Sequence, residues 1–297
     1  MNIRLLASVV VVATLASTAR ADLIHRYNFD TDASDSIGSA DGTFVGSTMG
    51  GPTVSGGQLQ LNNNTFQAAS ATNNYLSLPA SILPSSGSVT IEQWGTYNGS
   101  GFFTEAWAFS DRNGGANPPG ADVGQYLMFT ISAPQPATPP GGAGTGGSHI
   151  AQATAGYNTE TDAYHTTAGI GAAGGGGYLD DNGTYMTAAV IDSNAGTLSY
   201  YLYRVSDGAG GLQQTISADP LSSYSFTDAF LGRSPFDADN ATAGSIDEFR
   251  IYNEARDGST ILADYLAGPN ELVPEPTSLA VLGLGGLLGL FFRRRRS

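Results

Sequence analysis

Cysteine and lysine do not occur in this 297-residue chain, and histidine occurs only three times. Without cysteine there are no disulfides, so the fold rests on a packed core, which a chain of this length can bury. Without lysine, the glycine-rich run Gly169 to Gly177 lacks the residue that completes a phosphate-binding loop, and no helix follows it either. His149 and His165 lie in polar stretches with no second histidine at metal-ligand spacing, so they read as solvent-exposed rather than as transition-metal ligands. Long apolar runs are missing as well: Leu5 to Leu15 and Leu279 to Phe292 are both shorter than the roughly 20 residues of a stable bilayer span.

Those two short runs mark the ends of the chain. Arg4 precedes the first, and Ala19-Arg20-Ala21 closes it with Ala19 and Ala21 at the small-residue positions of a secretory signal, so the mature chain starts at Asp22. At the other end Pro274-Glu275-Pro276 precedes an apolar stretch of 14 residues containing four glycines, followed by Arg293, Arg294, Arg295 and Arg296. This order of parts resembles the PEP-CTERM sorting tail of Gram-negative envelope proteins. The resemblance implies an exosortase-type membrane protease as a partner, transient insertion of the tail, and delivery to the envelope, outer surface or extracellular matrix. An ordinary tail anchor, with its arginines kept on the cytoplasmic side, is the alternative. The shortness and glycine content of the run favour a processed segment.

Between the ends, residues 22–273 carry 25 acids against six arginines, a formal net charge of −19. Such a surface repels phosphates and anionic headgroups, which argues against nucleic acid or a membrane surface as partner. It suits an extracellular protein that meets calcium or neutral glycans.

The mature region reads as all-β. Leu23 to Phe29, Val89 to Trp94, Tyr126 to Ile131 and Ile246 to Tyr252 are strand-like runs set between glycine, asparagine and serine. Tyr126 to Ile131 is apolar apart from Thr130, as expected of a strand buried on both faces. Met186 to Ile191 and Leu198 to Tyr203 flank Asp192-Ser193-Asn194-Ala195-Gly196 as the two arms of a hairpin. One short helix follows, with Ile261, Leu262, Tyr265 and Leu266 on a common face, Ser259 as cap and Gly268-Pro269 as stop. Ala133 to Gly147 and Gly169 to Gly177 are long loops on one domain spanning residues 22–268, with 269–273 as linker to the tail at 274–297.

Several stretches resemble the LamG-like branch of the concanavalin A-like lectin and glucanase superfamily. They are His25-Arg26-Tyr27-Asn28-Phe29-Asp30, Tyr75-Leu76-Ser77-Leu78-Pro79, Ser88 to Trp94, Phe230-Leu231-Gly232-Arg233-Ser234 and Gly244 to Ala255. The resemblance implies a jelly-roll sandwich of two antiparallel sheets in which the first and last strands lie close together. It is weakest from Gly95 to Asp181. In the related family-16 glucanases a similar Ile-Asp near the start of the last strand helps to hold a structural calcium. That places Asp247 as a candidate ligand, with Asp30, Asp32 and Asp35 supplying further hard oxygens. Asp247 alternates with Phe249 and Ile251, which points it at the buried face, where a carboxylate needs a cation or several donors. Pairing of Asp247 with Arg26, and turns over Asp30 to Asp35, form the alternative.

Catalysis is not expected. Glu160-Thr161-Asp162-Ala163-Tyr164-His165 resembles the Glu-x-Asp-x-x-Glu run of those glucanases, but His165 replaces the second glutamate and leaves the paired-carboxylate mechanism incomplete. Trp107, Tyr97 and Tyr164 are available as stacking platforms for sugar rings, and equally as core residues. The sequence therefore points to an exported, non-catalytic sandwich that binds an extracellular polysaccharide or matrix partner. A purely structural matrix component is the alternative, and a glycan hydrolase a weaker one.

Overall fold

The computed structural model describes residues 23–46, 51–61, 74–98, 103–111, 124–132, 147–155, 159–164, 166–167, 179, 181–237 and 239–273. Ala19, Ala21, His165, the sorting-tail residues from Pro274 onward, and most of both long loops lie outside them. Among the described residues no helix is long and apolar enough to cross a membrane.

Among the described residues fifteen strands run β1 (Leu23–Tyr27), β2 (Thr43–Val45), β3 (Thr53–Ser55), β4 (Gln58–Gln60), β5 (Tyr75–Leu78), β6 (Val89–Asn98), β7 (Thr104–Ser110) and β8 (Tyr126–Ser132). They continue with β9 (His149–Ala153), β10 (Thr161–Tyr164), β11 (Asp181–Asp192), β12 (Thr197–Arg204), β13 (Gly210–Ser217), β14 (Asp228–Leu231) and β15 (Gly244–Tyr252), before helix α1 (Gly258–Ala267). One sheet has eight strands in the order β13-β12-β11-β6-β15-β4-β3, with β1 added alongside β15; the other has seven, β10-β9-β8-β7-β14-β5-β2. All strand pairs are antiparallel. The fold is therefore an all-β, jelly-roll-like sandwich, and its first and last strands are direct partners, with Tyr27 opposite Phe249.

Alternation explains the core. Leu127, Phe129 and Ile131 of β8 point between the sheets, as do Ile91 of β6, Leu198, Tyr200 and Leu202 of β12, and Ile251 of β15. Trp107 packs there against Phe109 and Phe129 at centroid separations of 5.6 and 6.3 Å. The hairpin forms as its sequence requires, Ile191 opposite Leu198, and Gly196 takes the left-handed conformation (φ 65°) that closes its turn.

The helix departs from its expected face. Asp257, not Ser259, is the cap: its carboxylate accepts the N–H of Thr260, while the Ser259 hydroxyl donates to it at 2.6 Å. Ile261 and Asp264 are buried, whereas Leu262 and Leu266 are exposed and Tyr265 stacks on Tyr203 at 4.5 Å. An ion pair between Arg256 and Asp264 turns the helix in this way, fixing its polar residue onto the outer face of the eight-stranded sheet. That face holds a buried charge network. Arg250 lies 4.5 Å over the Trp94 ring, Arg256 lies 3.9 Å over Tyr252, and Glu92 sits between them, 4.0 and 3.8 Å from the two guanidinium groups. Burial, reinforced by the charge of Asp264, pushes Glu92 up to about 8 despite both arginines.

Candidate functional site

Two regions gather residues with binding chemistry. The first lies where β1 ends. Phe29 adopts φ 51°, which is costly for a bulky side chain, and turns the chain sharply into the acidic loop that follows. Asp30 is exposed and accepts the Asn28 amide at 2.6 Å. Asp247 accepts Gln58 Nε2 at 3.0 Å and Asn270 Nδ2 at 3.5 Å. Burial raises the pKa of Asp247, and the charges of Glu248 and Asp30 raise it further, so the two candidate aspartates are near enough to repel each other.

The alternation that aimed Asp247 at the core is broken. A β-bulge falls between Ile246 and Glu248, so Ile246, Phe249 and Ile251 stay in the core while Asp247 is squeezed out half-buried, where β15 passes from its pairing with β4 to its pairing with β1. Arg26 does not pair with it; Arg26 Nε donates to Glu248 Oε1 at 2.7 Å. Asp32 and Asp35 serve their own loop. Asp32 accepts the Ser34 N–H at 2.9 Å and its hydroxyl at 2.5 Å. Asp35 bonds His25 Nδ1 at 2.6 Å and accepts the backbone N–H groups of Arg26, Ile37, Gly38 and Ala40. Burial acts to raise its pKa, but these bonds outweigh it and hold the carboxylate at about 2. Of the four aspartates, only Asp30 and Asp247 share a site. Among the described residues no three His, Cys, Asp or Glu side chains are placed to hold a metal ion.

The second region is the outer face of the seven-stranded sheet. The registers carry one row of side chains across it, Asp162-Ala151-Met128-Ala108-Phe230-Ser77-Thr43. A parallel row runs Tyr164-His149-Thr130-Glu105. Glu105 reaches this face because β7 is irregular on both sides of it, which sends Ala106 and Trp107 inward together. Phe236 packs edge-on against Tyr126 at 5.5 Å and so lays the segment after β14 over the middle of the face. Arg233 anchors that segment: it sits 4.8 Å from both the Tyr75 and Phe230 rings and donates to the Tyr75 hydroxyl at 3.0 Å and to Asp237 at 2.6 Å.

The stretch Glu160 to Tyr164 contains a strand, β10, paired to β9. Glu160 stands just before it and accepts the Tyr126 hydroxyl. Burial, with Asp162 nearby, pushes Glu160 up to about 7. His149 is a buried strand residue rather than an exposed one, because it lies under the ring of Tyr164 at 5.1 Å. Of the three aromatic platforms named from sequence, Tyr97 and Trp107 are enclosed in the core, and Tyr164 alone remains half-buried on the outer face, its hydroxyl donating to Asp162 at 2.8 Å. Sequence reasoning missed Glu105 and Asp239. The signal for Glu105 was present, a lone acid directly before the apolar run Ala106-Trp107-Ala108-Phe109, but nothing there announces the irregular pairing.

Residues 272–296 match the PEP-CTERM protein-sorting motif, so the chain carries an export and surface-sorting signal. No curated protein matches the chain. Similar solved structures include the CBM40 of a Ruminococcus gnavus IT-sialidase, at TM-score 0.41 and 10% identity over 60% of this chain and 83% of that one. Peanut lectin with a 9mer peptide scores 0.45 at 11% identity, covering 79% and 97%. The binding domain of Botulinum neurotoxin DC, in complex with rat synaptotagmin II, scores 0.49 at 13% identity, covering 82% and 51%. At this distance a shared sandwich carries no activity from one protein to another.

Proposed function

We propose that this protein is a non-catalytic surface or matrix component of a Gram-negative cell, with a LamG-like domain that binds a neutral extracellular glycan. The observation that carries the reading is Tyr164, a half-exposed ring on the outer face, braced by His149 beneath it and by Asp162 through its hydroxyl. A ring held in this way offers a flat apolar surface to a pyranose at low entropic cost, and the neighbouring carboxylate offers an acceptor for sugar hydroxyls. The domain's acidity favours an uncharged polymer over an anionic one. The pairing of β1 with β15 supports the LamG-like assignment. Exosortase-type processing of the tail delivers the domain outside the cell.

Against catalysis stand the replacement of a glutamate by His165 and the engagement of Glu160 by Tyr126. The structural reading has its own support, since the segment bearing Phe236 already covers the middle of the face. The test is retention on a panel of neutral polysaccharides. Retention that is lost in Tyr164→Ala supports glycan binding at this face; no retention on any polysaccharide, with or without calcium, leaves the structural reading. Sugar release that disappears in Glu160→Gln would establish the hydrolase instead.

A further inference from the structure

We propose that Glu105, Glu160 and Asp239 form a proton-held latch, which fastens the segment carrying Ser234, Phe236 and Asp239 across the outer face of the seven-stranded sheet and releases it when the protons leave. Three elements meet here. Glu105 comes from β7, Glu160 from the turn before β10, and Asp239 from the segment itself, in which Ser234 Oγ donates to Asp239 at 2.6 Å and accepts the Phe236 N–H at 3.1 Å. The far end of the segment is tied down by Asn240 N–H to the Phe103 carbonyl at 3.1 Å and by the Thr242 hydroxyl to the Glu105 carbonyl at 2.6 Å.

The side chain of Glu105 is the reason to look for protons. The residue is 1% exposed, and its two carboxyl oxygens lie beside the Ser234 and Thr130 hydroxyls without a well-formed hydrogen bond to either. An ionised carboxylate is not stable in such a place, and the charges that act on it, Asp239 and Glu160, are of its own sign. The surrounding elements do not reverse this. Arg233 on the same segment is already engaged by Asp237 and Tyr75, and β14 adds Asp228, bonded by Thr227. From β8 comes Tyr126, spent on Glu160; from β9, His149 stacked under Tyr164; from β10, Asp162, which adds a further negative charge. Burial pushes Glu105 well above the usual carboxylate range and Asp239 up to about 7, beside Glu160 at about 7. Because all three are raised in the folded state, the latch is firm below the normal carboxylate range and weakens as pH climbs through neutrality.

The segment lies over the face that bears Tyr164 and His149, so its release would uncover more of that face at alkaline pH. The test is hydrogen exchange on the full chain at about pH 6 and about pH 8.5, corrected for intrinsic rates, with peptides read separately for 231–242 and for α1. Protection of 231–242 should fall by about tenfold or more at the higher pH, since a shift of one pKa unit corresponds to tenfold. Glu105→Gln, which copies the protonated acid, should make that fall smaller, leaving the part due to Glu160 and Asp239, while the α1 peptides exchange as in the parent. If Glu105→Gln does not fold, Asp239→Asn carries the same expectation. Equal protection at both pH values, or a fall undiminished in both variants, overturns the latch.

Discussion

Arg26 on the first strand donates its Nε to Glu248 on the last at 2.7 Å, across 222 residues of chain. Glu248 also bonds Arg250 and accepts the backbone N–H of Asn270 beyond the helix, and its side chain is wholly enclosed. One carboxylate thus joins β1, β15 and the turn that follows α1. Although burial opposes its charge, the two arginines and the Asn270 N–H hold its pKa below the ordinary value. Glu248→Ala leaves two guanidinium groups and an N–H without their acceptor, and should cost about 3–5 kcal/mol, as breakage of buried ion pairs does. Urea denaturation checks this. An unchanged midpoint would mean that Arg26 and Arg250 find other acceptors.

Asp35 makes the corresponding acid-side prediction. Its pKa, held at about 2 by the bonds from His25 and the surrounding backbone, is depressed in the folded state. The stability it confers is therefore complete above the unfolded carboxylate range and is lost as pH falls toward about 2. Asp35→Asn should destabilise the protein at neutral pH by roughly 1.5–3 kcal/mol, the scale of hydrogen bonds to a charged group. It should also flatten the acid limb of stability against pH between about 4 and 2. Thermal melts over that range decide the matter; parallel acid limbs in parent and variant would remove Asp35 as their cause.

How far the sequence could be read depended on whether periodicity held. Where it held, in Tyr126 to Ile131 and in the hairpin after Met186, strands and buried faces follow directly. At Ile246-Asp247-Glu248 and around Glu105 a single irregular residue reverses which neighbours share a face, and no residue type in either stretch marks the position. The helix is where the sequence puts it, but its buried face differs for another reason. Leu262 and Leu266 outweigh Asp264 on any hydrophobicity count, yet the ion pair with Arg256 decides the orientation, and the sequence does not show that the two meet. The candidate site was less legible than the fold, because Glu105, Glu160 and Asp239 come from three separate elements and acquire their chemistry only from shared burial.

Calcium remains our proposal for Asp30 and Asp247. Asp247, whose ionisation is opposed by burial and by the charges of Glu248 and Asp30, is met only by the amide N–H groups of Gln58 and Asn270, and with Asp30 it offers hard carboxylate oxygens of the kind calcium takes. Chelator should then lower the melting temperature of the protein, by an amount set by calcium concentration over affinity and on the order of 3 kcal/mol at a hundredfold excess over Kd. Asp247→Ala should melt at the chelated value and no longer respond to chelator. A melting curve indifferent to both calcium and chelator would eliminate the metal.

The sorting tail can be tested by removing it. Residues 272–296 match the sorting motif, and the apolar run within them is too short for a durable span while ending in four arginines that resist translocation. Those features suit a segment that enters the membrane from one side, is read there and is then cut. A chain ended at Val273 should still be exported by its N-terminal signal but should skip the cut and bypass the envelope stage. Fractionation of cells producing each form, with the mass of the mature C-terminus, reads both effects. If the shortened chain distributes between envelope and medium as the full one does, the tail is not what addresses this protein, and surface retention must come from the sandwich itself.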